Sequence, residues 1–220
     1  MIPLNRRILP PMLAALSCAM VLTLWACAPA TTVVTPALYG AALEPAVKLP
    51  QLTFTRTDGG SFSTADTRDR ISLFFFGYTH CADVCPLTLS QFVQLRRALG
   101  RDGAAVDLYF VTVDPARDTL DWMRTYVANF SGVVGLIGSN AEVESAENAF
   151  NLVAERRELV NADYAVDHTA AIYLVDSTGK IDLAYTLGTP TEDIVSDLRR
   201  LLVASSWPSL RAAGPGARGD

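Results

Sequence analysis

Apolar residues along the middle of the chain follow two alternating patterns. Short continuous apolar runs predict buried strands, whereas apolar residues at helical spacing predict helices that pack on them. The predicted strands span residues 71–76, 106–113 and 133–137. The predicted helices follow them at residues 86–99, 119–130 and 141–150. This alternation predicts a sheet that is parallel in part, because each helix can carry the chain back to the start of the next strand.

Two hairpins and a last helix complete the pattern. The turn Asp58-Gly59-Gly60 separates short runs at 52–54 and 61–63, and a second turn at 176–179 separates runs at 170–175 and 181–186. The last predicted helix spans residues 191–203. An antiparallel hairpin beside parallel strands, covered by a terminal helix, is the thioredoxin arrangement. We therefore expect an α/β protein with a thioredoxin-like fold, in which helices flank a central mixed sheet and a hairpin stands at its N-terminus.

The N-terminal apolar segment has the features of a targeting sequence. Residues 8–26 carry no charge and follow two arginines, which is the pattern of a secretory signal or a membrane anchor. Residues 24–27 (LWAC) resemble a bacterial lipoprotein cleavage box with Cys27 as the lipidated residue, although Trp25 is larger than the residue usually found there. Both alternatives predict an extracytoplasmic, periplasmic domain tethered to a membrane by lipidated Cys27 or by an N-terminal helix.

These features divide the 220 residues into four expected parts. They are a signal peptide or membrane anchor at 1–27, a linker rich in proline and small residues at 28–50, one domain at 51–204, and a disordered tail at 205–220. A formal net charge of −5 excludes a strongly basic nucleic-acid binder. No nucleic-acid partner is therefore expected.

Candidate chemistry begins with the cysteines. Cys18 and Cys27 belong to the targeting segment, which leaves Cys81 and Cys85 as the pair in the folded domain. A disulfide across so short a loop removes little chain entropy, so chemistry is favoured over a structural bond. The pair opens a predicted helix, whose N-terminus favours thiolate. Thioredoxin oxidoreductases have two residues between their cysteines; the three found here leave the sulfurs able to share a metal.

A third ligand would have to come from one of two histidines. His80 adjoins Cys81, and neighbouring residues rarely converge on one ion, so His80 is expected to be a supporting, capping or solvated group. His168 precedes the predicted strand at 170–175. A lone histidine is usually structural, and its position alone does not identify it as a ligand.

Three motifs together resemble the Sco/SenC family of copper proteins. They are residues 76–86 (FGYTHCADVCP), 113–119 (VDPARDT) and 163–169 (DYAVDHT), in family order within about 150 residues. The resemblance implies a thioredoxin-like domain that binds one copper ion through Cys81, Cys85 and His168. It also implies a membrane-tethered protein that inserts copper into the binuclear site of cytochrome c oxidase subunit II. Ala82 departs from the proline usual in the family, without removing a ligand.

The donor set is consistent with that implication. Two thiolates and an imidazole suit Cu(I) and can hold Cu(II). Zinc could bind three such ligands, but the hydrolytic machinery of a catalytic zinc site is not evident. We therefore expect a copper chaperone rather than an enzyme. Two alternatives stay open: a thiol-disulfide oxidoreductase that uses Cys81 and Cys85 as redox groups, and a copper or redox sensor. A thioredoxin-like reductant or another copper chaperone would be further partners.

The second motif leaves the end of another predicted parallel strand, so it should lie near the cysteine loop. Asp118 and Thr119 are expected to cap the helix that follows. Asp114 is expected to influence the site through its charge and not as a ligand. Met123, which lies beside Trp122 in that helix, is expected to be a core residue and not a copper thioether.

Overall fold

The structure, a computed structural model, describes residues 37–160 and 163–203. The described strands are β1 (Ala41–Lys48), β2 (Thr53–Arg56), β3 (Ser61–Ser63), β4 (Ile71–Gly77), β5 (Val106–Thr112), β6 (Val133–Ile137), β7 (Ala154–Glu158), β8 (Tyr164–His168), β9 (Ala171–Val175) and β10 (Lys180–Thr186). The α-helices are α1 (Val84–Leu99), α2 (Leu120–Val127), α3 (Asn140–Phe150) and α4 (Thr191–Val203). The predicted targeting segment at 1–27 and the predicted tail at 205–220 lie outside the described residues.

The centre of the main sheet consists of the parallel strands β4, β5 and β6. Eight strands form this sheet in the order β1-β10-β9-β4-β5-β6-β2-β3. Strand β4 pairs with β5 from Ile71 opposite Val106 to Gly77 opposite Thr112. Every residue of β4 is buried, as expected for a strand covered on both faces. The carboxyl ends of the parallel strands lie at one edge of the sheet, which we call the site edge.

Helices cover both faces of this sheet. One buried layer joins α1, α2 and α4 to the sheet, and fully buried Met123 belongs to it. The opposite layer is rich in aromatic rings and includes Phe150 of α3, which packs on Phe74 and Phe76. Strand β9 pairs antiparallel with both β4 and β10, so the sheet is mixed. The expected thioredoxin-like α/β architecture is confirmed, and so is the core position of Met123.

The N-terminal hairpin is also confirmed. Strands β2 and β3 pair antiparallel, with Phe54 opposite Phe62. The turn between them contains Gly59 at φ +95°, in the left-handed region that glycine adopts without steric cost. Strand β2 also pairs antiparallel with β6, which places the hairpin at the end of the main sheet.

The linker expected at 28–50 differs from the structure in its second half. Residues 41–48 form β1, which pairs antiparallel with β10 at the opposite end of the sheet. The strand was missed because Pro45 interrupts its sequence, and the register shifts between Ala42 and Val47 accommodate the interruption. Just before β1, the amides of Tyr39 and Gly40 donate to the buried Asp197 carboxylate at 2.8 and 2.9 Å.

A second strand pair was not anticipated. Strands β7 and β8 form an antiparallel two-stranded sheet, with Ala154 opposite His168 and Glu158 opposite Tyr164. Four of the five residues of β7 are exposed, so this strand lacks the apolar pattern that revealed the others. His168 is the last residue of β8 and stands three residues before β9, which returns the chain to the main sheet.

Candidate metal centre

The two cysteines lie in the loop that leaves β4 at the site edge and opens α1. Cys85 is the second residue of α1 and is fully buried, whereas Cys81 precedes the helix and is half-buried. Both thiols are free. Gly77 makes room for the pair: a Cβ atom there would stand 2.6 Å from the Cys85 sulfur and 2.8 Å from the Phe110 ring. The chain therefore needs glycine at the point where the strand passes the sulfur.

The third side chain of the site, His168, reaches Cys85 from the separate β7–β8 sheet. Its Nε2 atom lies 3.7 Å from the Cys85 sulfur, and its Nδ1 atom lies 3.2 Å from the carbonyl oxygen of Thr169. The rings of Phe75 and Tyr78 meet the imidazole edge to face, each with centroids 6.0 Å apart. The structure therefore brings together all three side chains that the sequence predicted as metal ligands.

The ligand atoms of Cys81, Cys85 and His168 all lie within 4.8 Å of one another. Protein sulfur and nitrogen atoms bind metals of this class at about 2.0–2.3 Å, so ligands on one ion stand about 3.5–4 Å apart. The group is therefore close to the spacing that one ion requires. Its chemistry, two sulfurs and one imidazole, favours a soft ion such as Cu(I) and can also accept Cu(II) or Zn(II).

The two sulfurs are electrostatically unequal. A hydrogen bond from Cys85 is the main cause that lowers the pKa of Cys81 to about 3; burial opposes this shift, and His168 and backbone amides support it. The same hydrogen bond, together with burial, raises the pKa of Cys85. At neutral pH Cys81 is therefore a thiolate that accepts a hydrogen bond from the Cys85 thiol. Such a pair presents one reactive sulfur and protects the other.

A cluster around Arg117 holds the β7–β8 sheet against the main body. Arg117 donates to the Asp114 carboxylate at 2.5 Å and to the Tyr164 carbonyl oxygen at 2.9 Å. The Tyr164 hydroxyl donates to the same carboxylate at 2.8 Å. The Tyr164 ring lies between two guanidinium groups. The distance from the guanidinium carbon to the ring centroid is 3.5 Å for Arg117 and 3.6 Å for Arg156. We call Asp114, Arg117, Tyr164 and Arg156 the hairpin clamp.

The clamp contains residues that sequence reasoning missed. Asp114 was expected to act through its charge, and it lies outside the group of metal-ligating atoms. Arg117 and Tyr164 both stand in the quoted motifs, and only their contact across 47 positions reveals a role. Because Tyr164 begins the strand that His168 ends, the clamp fixes the support of the third ligand.

Asp118 does not cap α2, contrary to expectation. Thr119 is the N-cap, and its hydroxyl accepts from the Trp122 amide at 3.3 Å. Asp118 is instead buried in the loop between β5 and α2, where it accepts from the Thr79 hydroxyl of the cysteine loop at 2.6 Å and from the Thr112 hydroxyl of β5 at 2.8 Å. Burial raises the pKa of Asp118, and these hydrogen bonds oppose the shift. The residue therefore braces the loop that carries the cysteines.

His80 lies outside the metal-ligating group, as expected from its adjacency to Cys81. Its side chain is 41% exposed and stacks on the Trp122 ring, with centroids 6.0 Å apart and planes inclined by 25°. Its Nδ1 atom lies 3.2 Å from the Thr79 hydroxyl oxygen. It is therefore a supporting group with one ring nitrogen turned toward the loop.

Comparison with known proteins gives a consistent result. A family model described as SCO1/SenC matches residues 41–203. The human protein named "Protein SCO2 homolog, mitochondrial" is 36% identical over 146 residues, which are 64% of this chain and 54% of the human protein. This chain thus spans little more than half the length of that relative.

Solved structures are similar over the same domain. Bradyrhizobium japonicum ScoI with copper bound is 33% identical, with a TM-score of 0.66, and the match covers 70% of this chain and 99% of that one. BsSco, described as having a disulfide switch and as a member of the Sco family of cytochrome c oxidase assembly proteins, is 25% identical, with a TM-score of 0.59 and coverage of 71% and 94%. None of the helices within residues 37–160 and 163–203 combines the length and the apolar character of a membrane span.

Proposed function

The chain belongs to the SCO1/SenC family, and from this membership we propose that it is a copper chaperone for cytochrome c oxidase. In this proposal one copper ion binds to Cys81, Cys85 and His168 and passes to the binuclear copper site of oxidase subunit II. The human relative and the copper-bound ScoI structure support the family role, and BsSco supports the link to oxidase assembly.

One observation carries the proposal: the three donors meet although His168 lies 83 positions from Cys85. A disulfide oxidoreductase needs two sulfurs and no imidazole at this distance. A metal carrier gains from the imidazole, because two thiolates alone hold Cu(I) linearly and hold Cu(II) poorly. The described contacts thus favour a carrier with a closed coordination sphere over a simple dithiol.

The test is a copper titration of the reduced protein beside two histidine variants. We expect about one Cu(I) per chain in the wild type. His168→Ala should bind Cu(I) more weakly and lose stable Cu(II) binding, with free thiols and circular dichroism unchanged. His80→Ala is the matched control, because it removes the other histidine and should leave the equilibrium affinity unchanged. Wild-type affinity in His168→Ala would contradict the ligand assignment.

A second candidate function, reduction of the cysteines of the same target, is favoured by the unequal sulfurs. Cys81 has a lowered pKa and is half-buried, whereas Cys85 is buried with a raised pKa, which is the division of labour of an attacking and a resolving cysteine. The two candidate functions can be distinguished in cells starved of copper. If the protein delivers copper, His168→Ala should fail to support assembly of the oxidase in these cells. Full complementation by this variant would favour the reductase.

We also propose an extracytoplasmic, periplasmic location with a membrane tether at lipidated Cys27 or an uncleaved N-terminal helix. The support comes from the sequence, because these residues lie outside the described part of the chain. Cys27→Ser should block processing and leave a heavier precursor if the residue is lipidated. A wild-type protein that retains residues 1–26 by intact mass would instead indicate the helix. A thioredoxin-like reductant or another copper chaperone is the proposed upstream partner.

A further inference from the structure

Hydrogen bonds around His80 determine which of its ring nitrogens carries the proton. The Thr79 hydroxyl has a single proton, and it donates that proton to the Asp118 carboxylate at 2.6 Å. Asp118 can take this role because its oxygens also accept from the Thr79 amide and from the Thr112 hydroxyl. The Thr79 hydroxyl oxygen can therefore only accept a hydrogen bond from the His80 ring. The neutral imidazole must place its proton on Nδ1, which lies 3.2 Å away.

This tautomer leaves a lone pair on Nε2 of His80. Among the described residues no group forms a hydrogen bond with this atom, and the side chain is 41% exposed. Stacking on Trp122 further restricts the ring. His168 is arranged alike, with Nδ1 at 3.2 Å from a carbonyl oxygen and Nε2 toward the metal-ligating group. Histidines that bind metals usually donate their other ring nitrogen to such a fixed acceptor.

The position of His80 differs from that of His168 in its access to solvent. Cys85 is fully buried, and Cys81 is the more exposed of the two sulfurs. His80 is bonded through the chain to Cys81 and is more exposed still, yet it lies outside the group whose atoms are within 4.8 Å of one another. An ion on His80 Nε2 would therefore be held one residue from Cys81 in the chain, at an exposed position outside the final site.

We propose that His80 is a receiving ligand, which takes Cu(I) from a donor and hands it to Cys81; the inference rests on the copper-binding function proposed above. The transfer is a ligand exchange without a change of oxidation state. The bond from Cu(I) to His80 Nε2 forms as a donor–copper bond breaks, and this lone pair displaces no proton. The bond to the Cys81 thiolate then forms as the Nε2–copper bond breaks. Cys85, whose thiol proton is released to solvent as its sulfur binds the ion, and His168 complete the final site.

The experiment measures how fast the reduced protein removes Cu(I) from its bicinchoninate complex, followed by the colour of that complex. His80→Ala should load about tenfold more slowly, because the first capture step no longer holds copper beside Cys81. The final occupancy and the equilibrium affinity should equal those of the wild type. His80→Gln, which restores a polar side chain but no imidazole, should be as slow as His80→Ala. Leu87→Ala, a change at an exposed position two residues after Cys85, should load at the wild-type rate.

The outcomes separate this inference from the function on which it rests. A wild-type protein that binds no copper would contradict the proposed function. A wild-type protein that binds copper but loads no faster than His80→Ala would overturn the receiving role alone. Equal loss of rate and equilibrium affinity in His80→Ala would also overturn it, since His80 would then belong to the final site. Circular dichroism of each variant ensures that a slow rate reports on the imidazole and not on unfolding.

Discussion

The metal centre joins two regions that are supported in different ways. The cysteine loop grows directly out of β4, where all seven residues are buried and Asp118 braces the turn with two threonine hydroxyls. His168 ends a small two-stranded sheet whose outer strand is largely exposed and whose attachment includes the hairpin clamp. The sulfurs are thus supported by a buried central strand and a buried carboxylate, whereas the imidazole stands on a small sheet that side-chain contacts help to hold.

This difference separates two properties of the site. The sulfurs lie at the start of α1 and in the loop that joins it to β4 of the main sheet, so they keep their positions for as long as the domain is folded. The imidazole depends in addition on contacts that a single substitution can remove without exposing the core. Substitutions that loosen the β7–β8 sheet should therefore change the affinity for copper. They should leave the two sulfurs adjacent to each other.

The largest expected effect on copper binding comes from oxidising the two cysteines. Oxidation of Cys81 and Cys85 to a disulfide leaves no thiolate, so we expect almost complete loss of Cu(I) binding although the histidine region is intact. Metal analysis of protein oxidised before reconstitution, with thiols counted in parallel, measures this. Full copper occupancy in the disulfide form would show that the sulfurs are not the ligands.

Loosening the histidine region should have an intermediate effect on affinity. Arg117→Ala removes the contacts to Asp114 and Tyr164, and loss of such outer contacts typically lowers metal affinity about 10- to 100-fold. Arg156→Ala is the comparison variant, because it removes the exposed outer side of the Tyr164 sandwich and a surface ion pair with Glu158 but leaves the contacts of Arg117 to Asp114 and Tyr164 in place. Competition titration with a Cu(I) chelator measures both variants. Equal affinities in Arg117→Ala and wild type would show that the hairpin does not need its clamp.

Adding a methyl group beside the Cys85 sulfur should lower the free energy of unfolding. Gly77→Ala would place a Cβ atom 2.6 Å from the Cys85 sulfur and 2.8 Å from the Phe110 ring. Overpacking of this kind costs about 1–3 kcal/mol in the free energy of unfolding. Urea denaturation of the reduced proteins measures the loss, with Gly60→Ala in the N-terminal turn as the control, because a Cβ atom there meets only the flexible side chains of Arg56 and Asp58 at 3.4 Å or more. An unchanged midpoint in Gly77→Ala would mean that the loop moves freely, against the rigid support described above.

The smallest effect is a difference in pH dependence between the sulfurs. With a pKa of about 3, Cys81 stays a thiolate from pH 8 down to pH 5, so its rate of alkylation by iodoacetamide should hardly change over that range. A thiol with an ordinary pKa loses about tenfold in rate per pH unit below it. Cys85, with a raised pKa, should stay unmodified. Peptide mass spectrometry assigns each site, and a steep fall for Cys81 below pH 8 would contradict the unequal pair.

The same division explains what the sequence could predict. Strands β4 to β6 are continuous apolar runs, so pattern alone identified them and the cysteine loop between β4 and α1. Strand β7 reads Ala-Glu-Arg-Arg-Glu, and strand β1 is interrupted by Pro45, so neither carries the signal of a buried strand. The meeting of His168 with the cysteines entered through family resemblance. The clamp joins residues 47 positions apart, and no local pattern encodes such a contact.

The proton shared by the two sulfurs has a consequence for charge. Without metal, the pair carries a single negative charge, because Cys81 is ionised and Cys85 is protonated. Binding of Cu(I) requires both sulfurs as thiolates, so the Cys85 proton must leave as the ion arrives. One monovalent cation thereby replaces another, and the total charge of the sulfur pair with its cation stays at −1. A partner protein that approaches the site edge would meet the same local charge whether the carrier is empty or holds Cu(I), and would meet a different charge when it holds Cu(II).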